Sequence, residues 1–159
     1  MYSQWGTYGF VLAIHSILRW ALIAAGFVAV ARAWIARARG RVWSSADTVF
    51  ARVFVIGFDL QLLVGAALYG LFSAVVAGAL TNLPLAMQSR AQRFWVLEHP
   101  LAMIAALTLA HIGLSKARKT GGTEGQRTAS IFFTMAFLVL LAAIPWPIFT
   151  FGRLLWPLP

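Results

Sequence analysis

Seven polar side chains interrupt the long apolar runs of this 159-residue sequence: His15, Arg19, Asp59, Gln61, Glu98, His99 and His111. An ionisable group near the middle of a bilayer costs at least about 2.5 to 3.5 kcal/mol on insertion scales, so each one needs a partner or a function. Imidazoles bind metals, guanidinium and amide groups hydrogen-bond carbonyls or propionates, and a carboxylate accepts protons. At a rise of 1.5 Å per residue, His15 falls roughly 7 Å and His99 roughly 8 Å to the same side of the midplane. Equal depth on two helices is what a b-type haem requires, one axial imidazole from each face. Small residues at helical spacing leave room for a flat macrocycle: Ala25, Gly26 and Ala29 near His15, then Met103, Ala106, Ala110 and Gly113 on the face of His99. The alternative is that the two histidines hydrogen-bond across helices, worth roughly 1 kcal/mol each.

Arg19 follows His15 by four residues and shares its face, with a side chain that leans back along the helix. Its expected partners are Glu98, a haem propionate or a quinone carbonyl, and a purely structural Arg19–Glu98 pair is the competing reading. Trp20 and Trp95 are expected to pack around the cofactor. Pro100 lacks an N–H, so it frees the carbonyl of Val96 and bends the helix beside His99. Gln61 points along the face of Gly65, Leu68 and Phe72, as interhelical glue or as a quinone or haem-edge hydrogen bond. Asp59 and His111 fall roughly 8 and 10 Å to the opposite side of the midplane and are expected to pair with each other.

The elements that must position these groups are set by composition. The chain is 61% hydrophobic and 11% charged, with a mean hydropathy of +0.81, where soluble domains carry about 25% charged residues. A hydrocarbon core about 30 Å thick takes roughly 20 apolar residues as a helix. Four runs qualify, at about 8–31, 53–76, 94–115 and 129–151. They show no period-2 alternation, so the expected fold is all-α, an integral-membrane four-helix bundle in one domain, and not a β-barrel. Nothing before Arg19 is charged and no small-residue cleavage pattern follows the first run, so that run is expected to be retained.

Basic residues at 32, 37, 39 and 41, and again between Lys116 and Arg127, lie between spans. The positive-inside rule then turns both termini outward, to the periplasm of a bacterial inner membrane, with the two basic loops inside. The net charge of +9 is thereby a matter of topology; no nucleic-acid partner is expected. The glycines of Thr120–Gly125 suggest a flexible turn. With no cysteine, disulfides, iron–sulfur clusters, thiolate-ligated haem and cysteine nucleophiles are excluded. No phosphate loop, zinc-protease helix or nucleophile elbow occurs.

The motifs together resemble a small family of four-span membrane proteins, frequent in Bacteroidetes, that carries the label cytochrome B. The likeness spans nearly the whole chain. It rests on His15, Ser16, Arg19 and Trp20; on Gln61, Gly65, Leu68 and Tyr69; on Phe94, Trp95, Glu98 and His99, with Met103 and Gly113 following; and on Pro145 to Pro147. The resemblance implies haem b and electron transfer. It departs from the usual cytochrome b pattern, which has two histidines on each of two helices.

The leading expectation is therefore a b-type cytochrome-like protein that holds one haem between His15 and His99. It would exchange electrons with the quinone pool or a partner complex, with Arg19, Trp20, Gln61 and Glu98 around the cofactor. The alternatives are a haem-free accessory subunit of a respiratory or photosynthetic complex and a quinone- or lipid-binding module.

Overall fold

The computed structural model describes residues 2–153, and they are helical almost throughout. Helix α1 (Tyr2–Ala38) is followed by α2 (Ser45–Ala67), which runs on through a wide π turn at Leu68–Phe72. Three short helices, α3 (Ala74–Thr81), α4 (Leu83–Gln88) and α5 (Arg90–Arg93), make the connection to a second π turn at Phe94–Glu98. Helices α6 (His99–Thr120) and α7 (Gly122–Ala142) complete the bundle. Helix α1 packs on α2 and α7, and α6 packs on the same two. The four long helices thus form a ring in which α1 and α6 stand at opposite corners.

Four helical stretches, Gly6–Ala38, Ser45–Phe72, Arg90–Thr120 and Gly122–Ala142, are each long and apolar enough to cross a membrane. The chain is a multi-pass membrane protein. Phe10, Phe27, Leu63, Leu71, Leu101 and Leu138 point outward, where lipid replaces water as their solvent.

Small residues bring the helices together, as is usual where lipid removes the hydrophobic drive for association. A Cβ on Gly26 would lie 2.7 Å from ring atoms of both Phe54 and Phe137, and one on Gly113 would lie 2.7 Å from Cβ of Phe132. The space opened by these glycines is filled by phenyl rings, with Phe54, Phe58 and Phe133 buried at the centre. Gly26 and Gly113 therefore make room for neighbouring phenyl rings, where the sequence suggested room for a macrocycle.

The fourth span also differs from the expected 129–151. Gly121, at φ +63°, reverses the chain between α6 and α7, a conformation only glycine adopts freely. Gly125 is there for packing and not for flexibility, because a Cβ would meet the Ala117 carbonyl at 2.8 Å and Trp43 Cβ at 3.1 Å. At the other end Pro145 and Pro147 cannot continue α7. The chain folds back instead, with Arg153 N–H donating to Pro145 O at 3.0 Å and the Arg153 guanidinium to Tyr8 Oη at 2.8 Å. The second span likewise stops at Ser73, whose hydroxyl accepts from Val76 N–H and caps α3.

A buried carboxylate ties the basic end of the ring. Asp47 Oδ1 accepts from Arg32 at 2.9 Å, with Arg41 at 3.7 Å. Its Oδ2 takes Ser44 N–H at 3.1 Å, Ser44 Oγ at 2.7 Å and Gln126 Nε2 at 2.7 Å. Ser44 Oγ accepts from Asp47 N–H in return, a capping box that starts α2. One side chain therefore joins α1, α2 and α7.

Candidate functional site

The opposite end holds the expected imidazole pair. His15 on α1 and His99 on α6 approach from the two opposite corners of the ring, with ring centroids 6.5 Å apart and planes at 71°. The two residues that counting put at one level are thus brought into edge contact.

Gln61, 6% exposed, fixes His15. Its Nε2 donates to the His15 backbone carbonyl at 3.0 Å and stands 3.2 Å from His15 Nε2. A carbonyl can only accept, so the amide nitrogen must face His15, and His15 Nε2 must then accept. The proton of the neutral ring is thereby placed on Nδ1. Gly65, one turn along α2, completes the cradle: a Cβ there would lie 3.2 Å from His15 Cε1 and 3.7 Å from Nδ1. The edge of the ring that carries both nitrogens thus faces α2. Two polar atoms in this cradle are buried and have no hydrogen-bond partner, His15 Nδ1 and Gln61 Oε1. One is a donor and the other an acceptor.

His99 is set by the break at Pro100. Its own N–H bonds back to Phe94 O, five residues earlier, which makes the π turn. The carbonyl of Val96, which a residue with an N–H at position 100 would have taken, accepts from Tyr69 Oη at 3.1 Å. This is the carbonyl that the sequence indicated would be freed. His99 Nδ1 donates to Ala143 O at 2.8 Å, just past the end of α7. Phe94 and Trp95 pack on the imidazole at 5.7 and 5.9 Å, and Phe151 stacks on Phe94 at 4.1 Å. Trp95 is thus beside the site as expected, with the Arg153 guanidinium over its ring at 4.5 Å.

Arg19 is buried, 7% exposed, and its guanidinium lies 5.5 Å from the Trp20 ring. Trp20 is accordingly a platform for Arg19 and is not among the rings packed on the imidazoles. Arg19 and Arg153 both lie within electrostatic reach of His15. Glu98 is a correction: its carboxylate turns outward to Arg93 Nε at 2.7 Å, with both side chains partly exposed, instead of pairing with Arg19. The cluster is therefore built from two imidazoles, an amide, two guanidinium groups and a wall of aromatic rings.

Away from this cluster, His111 Nε2 and Asp59 Oδ1 pair at 2.9 Å as expected, on the outward side of the bundle. The Asp47 hub was not singled out by sequence reasoning, although Ser44 three residues before Asp47 at the head of an apolar run is a readable start signal. Arg153 and Phe151 had no such signal, because only the fold-back of the chain after Pro147 brings them to the histidines.

Compared with models of protein families, with curated proteins and with solved structures, the chain matches none.

Proposed function

We propose that the His15–Gln61–His99 cluster binds the headgroup of a quinone or quinol within the membrane. The observation that carries this reading is the buried, unpartnered pair of His15 Nδ1–H and Gln61 Oε1 in an apolar span. Leaving such groups unpaired in hydrocarbon costs several kcal/mol each. A quinol hydroxyl accepts from Nδ1–H and donates to Oε1, and so satisfies both. A quinone carbonyl satisfies the donor. The rings of Phe94, Trp95 and Phe151 supply a surface for stacking, and Arg19 and Arg153 favour negative charge on the bound headgroup.

The two connections at the basic end, residues 39–44 and Gly121, are short and offer little surface to a soluble redox partner. Electron exchange with a membrane-embedded partner in a bacterial inner membrane fits this better, and the role is then that of a small subunit of a redox assembly.

The test is binding of a short-chain benzoquinone or naphthoquinone to the purified chain, read by quenching of tryptophan emission. Binding is expected for the natural sequence and at least about tenfold weaker for Gln61→Leu, from the loss of about 1.4 kcal/mol of hydrogen bonding. Equal affinity of the two proteins would overturn the reading.

A b haem is the second reading, favoured by the 6.5 Å approach of imidazoles from opposite corners and by the carbonyl that orients His99, a support that metal-ligating histidines commonly have. The donor set as arranged does not fit axial ligation by both rings, because the lone pair of neutral His15 is directed to the Gln61 amide. Ligation needs that hydrogen bond to break. A reduced-minus-oxidised spectrum separates the readings: Soret and α bands lost in both His15→Ala and His99→Ala favour haem, and a colourless quinone binder favours the first.

A further inference from the structure

The outward face of α6 carries a shallow, open surface groove near the basic end, lined by His111, Leu114, Ser115, Arg118 and Lys119, all from this one helix. The lining holds two cations, a hydroxyl and an imidazole, with no carboxylate. Lys116 is directed elsewhere, its ammonium 5.3 Å from the Phe132 ring. Among the described residues neither Arg118 nor Lys119 pairs with an acidic group.

The groove reaches roughly 11 Å along the helix from Arg118 and Lys119 to His111, from the end of the span into its apolar part. There the His111–Asp59 pair looks outward with about half of each side chain exposed. Lipid tails cannot solvate such a pair, and ionisable groups inside membranes face protein or water. The surroundings of the pair must therefore be polar and wet, while the mouth of the groove calls for an anion.

We propose that the groove is a binding site for an anionic phospholipid. Its phosphate is taken by Arg118 and Lys119, with Ser115 Oγ donating to a phosphate oxygen. An acyl chain packs on Leu114 from one side and leaves the exposed faces of His111 and Asp59 to the water that accompanies the headgroup. Basic pockets at the ends of membrane helices hold lipid phosphates in this way. Arg118 and Lys119 are exposed, and a partner helix that covered them would have to bring acids to neutralise both, which makes a lipid the occupant with the better charge match.

The experiment uses the full chain in maltoside micelles, with thermal unfolding followed during titration with phosphatidylglycerol, phosphatidylcholine or inorganic phosphate. Phosphatidylglycerol is expected to raise the midpoint saturably, and the other two to leave it unchanged. Arg118→Gln with Lys119→Gln should weaken the lipid about 30-fold, the combined effect of two basic residues near an anionic surface. Arg118→Lys with Lys119→Arg should retain binding, as should Arg127→Gln on α7. Should the double glutamine variant fail to fold, Ser115→Ala reads the same groove, with about fivefold weaker binding. Unchanged lipid affinity in the folded double glutamine variant or in Ser115→Ala overturns the proposal. So does equal stabilisation by inorganic phosphate, which would make this a free-anion site, and so does a photo-crosslink from position 115 to a protein in native membranes.

Discussion

Replacing Asp47 with Asn tests the claim that one carboxylate closes the basic end of the ring. The substitution keeps shape and removes charge. In the native arrangement Oδ1 serves Arg32 and Arg41 while Oδ2 serves Ser44 N–H, Ser44 Oγ and Gln126 Nε2. An asparagine can offer an oxygen to only one of these groups, and its amide N–H₂ must face donors on the other side. Removing one partner of a buried ion pair costs about 3 to 5 kcal/mol. The side chains of Arg32 and Arg41 are 31% and 47% exposed, so water recovers part of the loss on that side. The three donors at Oδ2, Gln126 being fully buried, keep most of theirs at roughly 1 kcal/mol each. We therefore expect a loss of about 3 kcal/mol, measured by reversible unfolding in mixed dodecyl sulfate micelles and followed by circular dichroism. A loss below about 1 kcal/mol would place Asp47 among ordinary surface pairs and refute the reasoning.

Three further outcomes follow from the same structure. Glu98→Gln should change stability by less than about 1 kcal/mol in that assay, because its pair with Arg93 is exposed; a larger loss would return Glu98 to the site. Tyr69→Phe should cost about 1 to 2 kcal/mol by stranding the Val96 carbonyl, and less in a Pro100→Ala background, where a backbone N–H takes over; equal losses in both backgrounds would break the link. Gly26→Val should destabilise by about 1 to 3 kcal/mol through overpacking against Phe54 and Phe137, and Gly6→Val, with open space around it, serves as the control.

The residues of the histidine cluster were legible where the physics is local or set by helical rise. Counting along two helices put His15 and His99 at one level, and Pro100 announced a free carbonyl at Val96. The Asp59–His111 pair followed from the cost of leaving either group alone in an apolar span. Orientation about the helix axis was harder to read. The turn of Glu98 toward Arg93 depends on the π turn at Phe94–Glu98, and a one-residue change of register swings a side chain by about 100°. Glycines misled in the opposite direction: Gly26, Gly113 and Gly125 fit the pattern of open or flexible sites, yet at each a neighbour stands within 3 Å of where a Cβ would lie. The expected turn at Thr120–Gly125 is confined to Gly121, and α7 already starts at Gly122, with Gly125 packed against Trp43 and Ala117.

The one-residue reversal at Gly121 has a consequence for how the ring is assembled. Helices α6 and α7 are neighbours in sequence and share the most extensive packing in the protein, so they can pair as soon as both have left the ribosome. The seam between α1 and α7 joins the first helix to the last and has to wait for the whole chain. The contact of Gln126 with Asp47 ties α7 to the start of α2 beside that seam, so it too waits for α7, and a chain interrupted before α7 leaves the carboxylate of Asp47 without it.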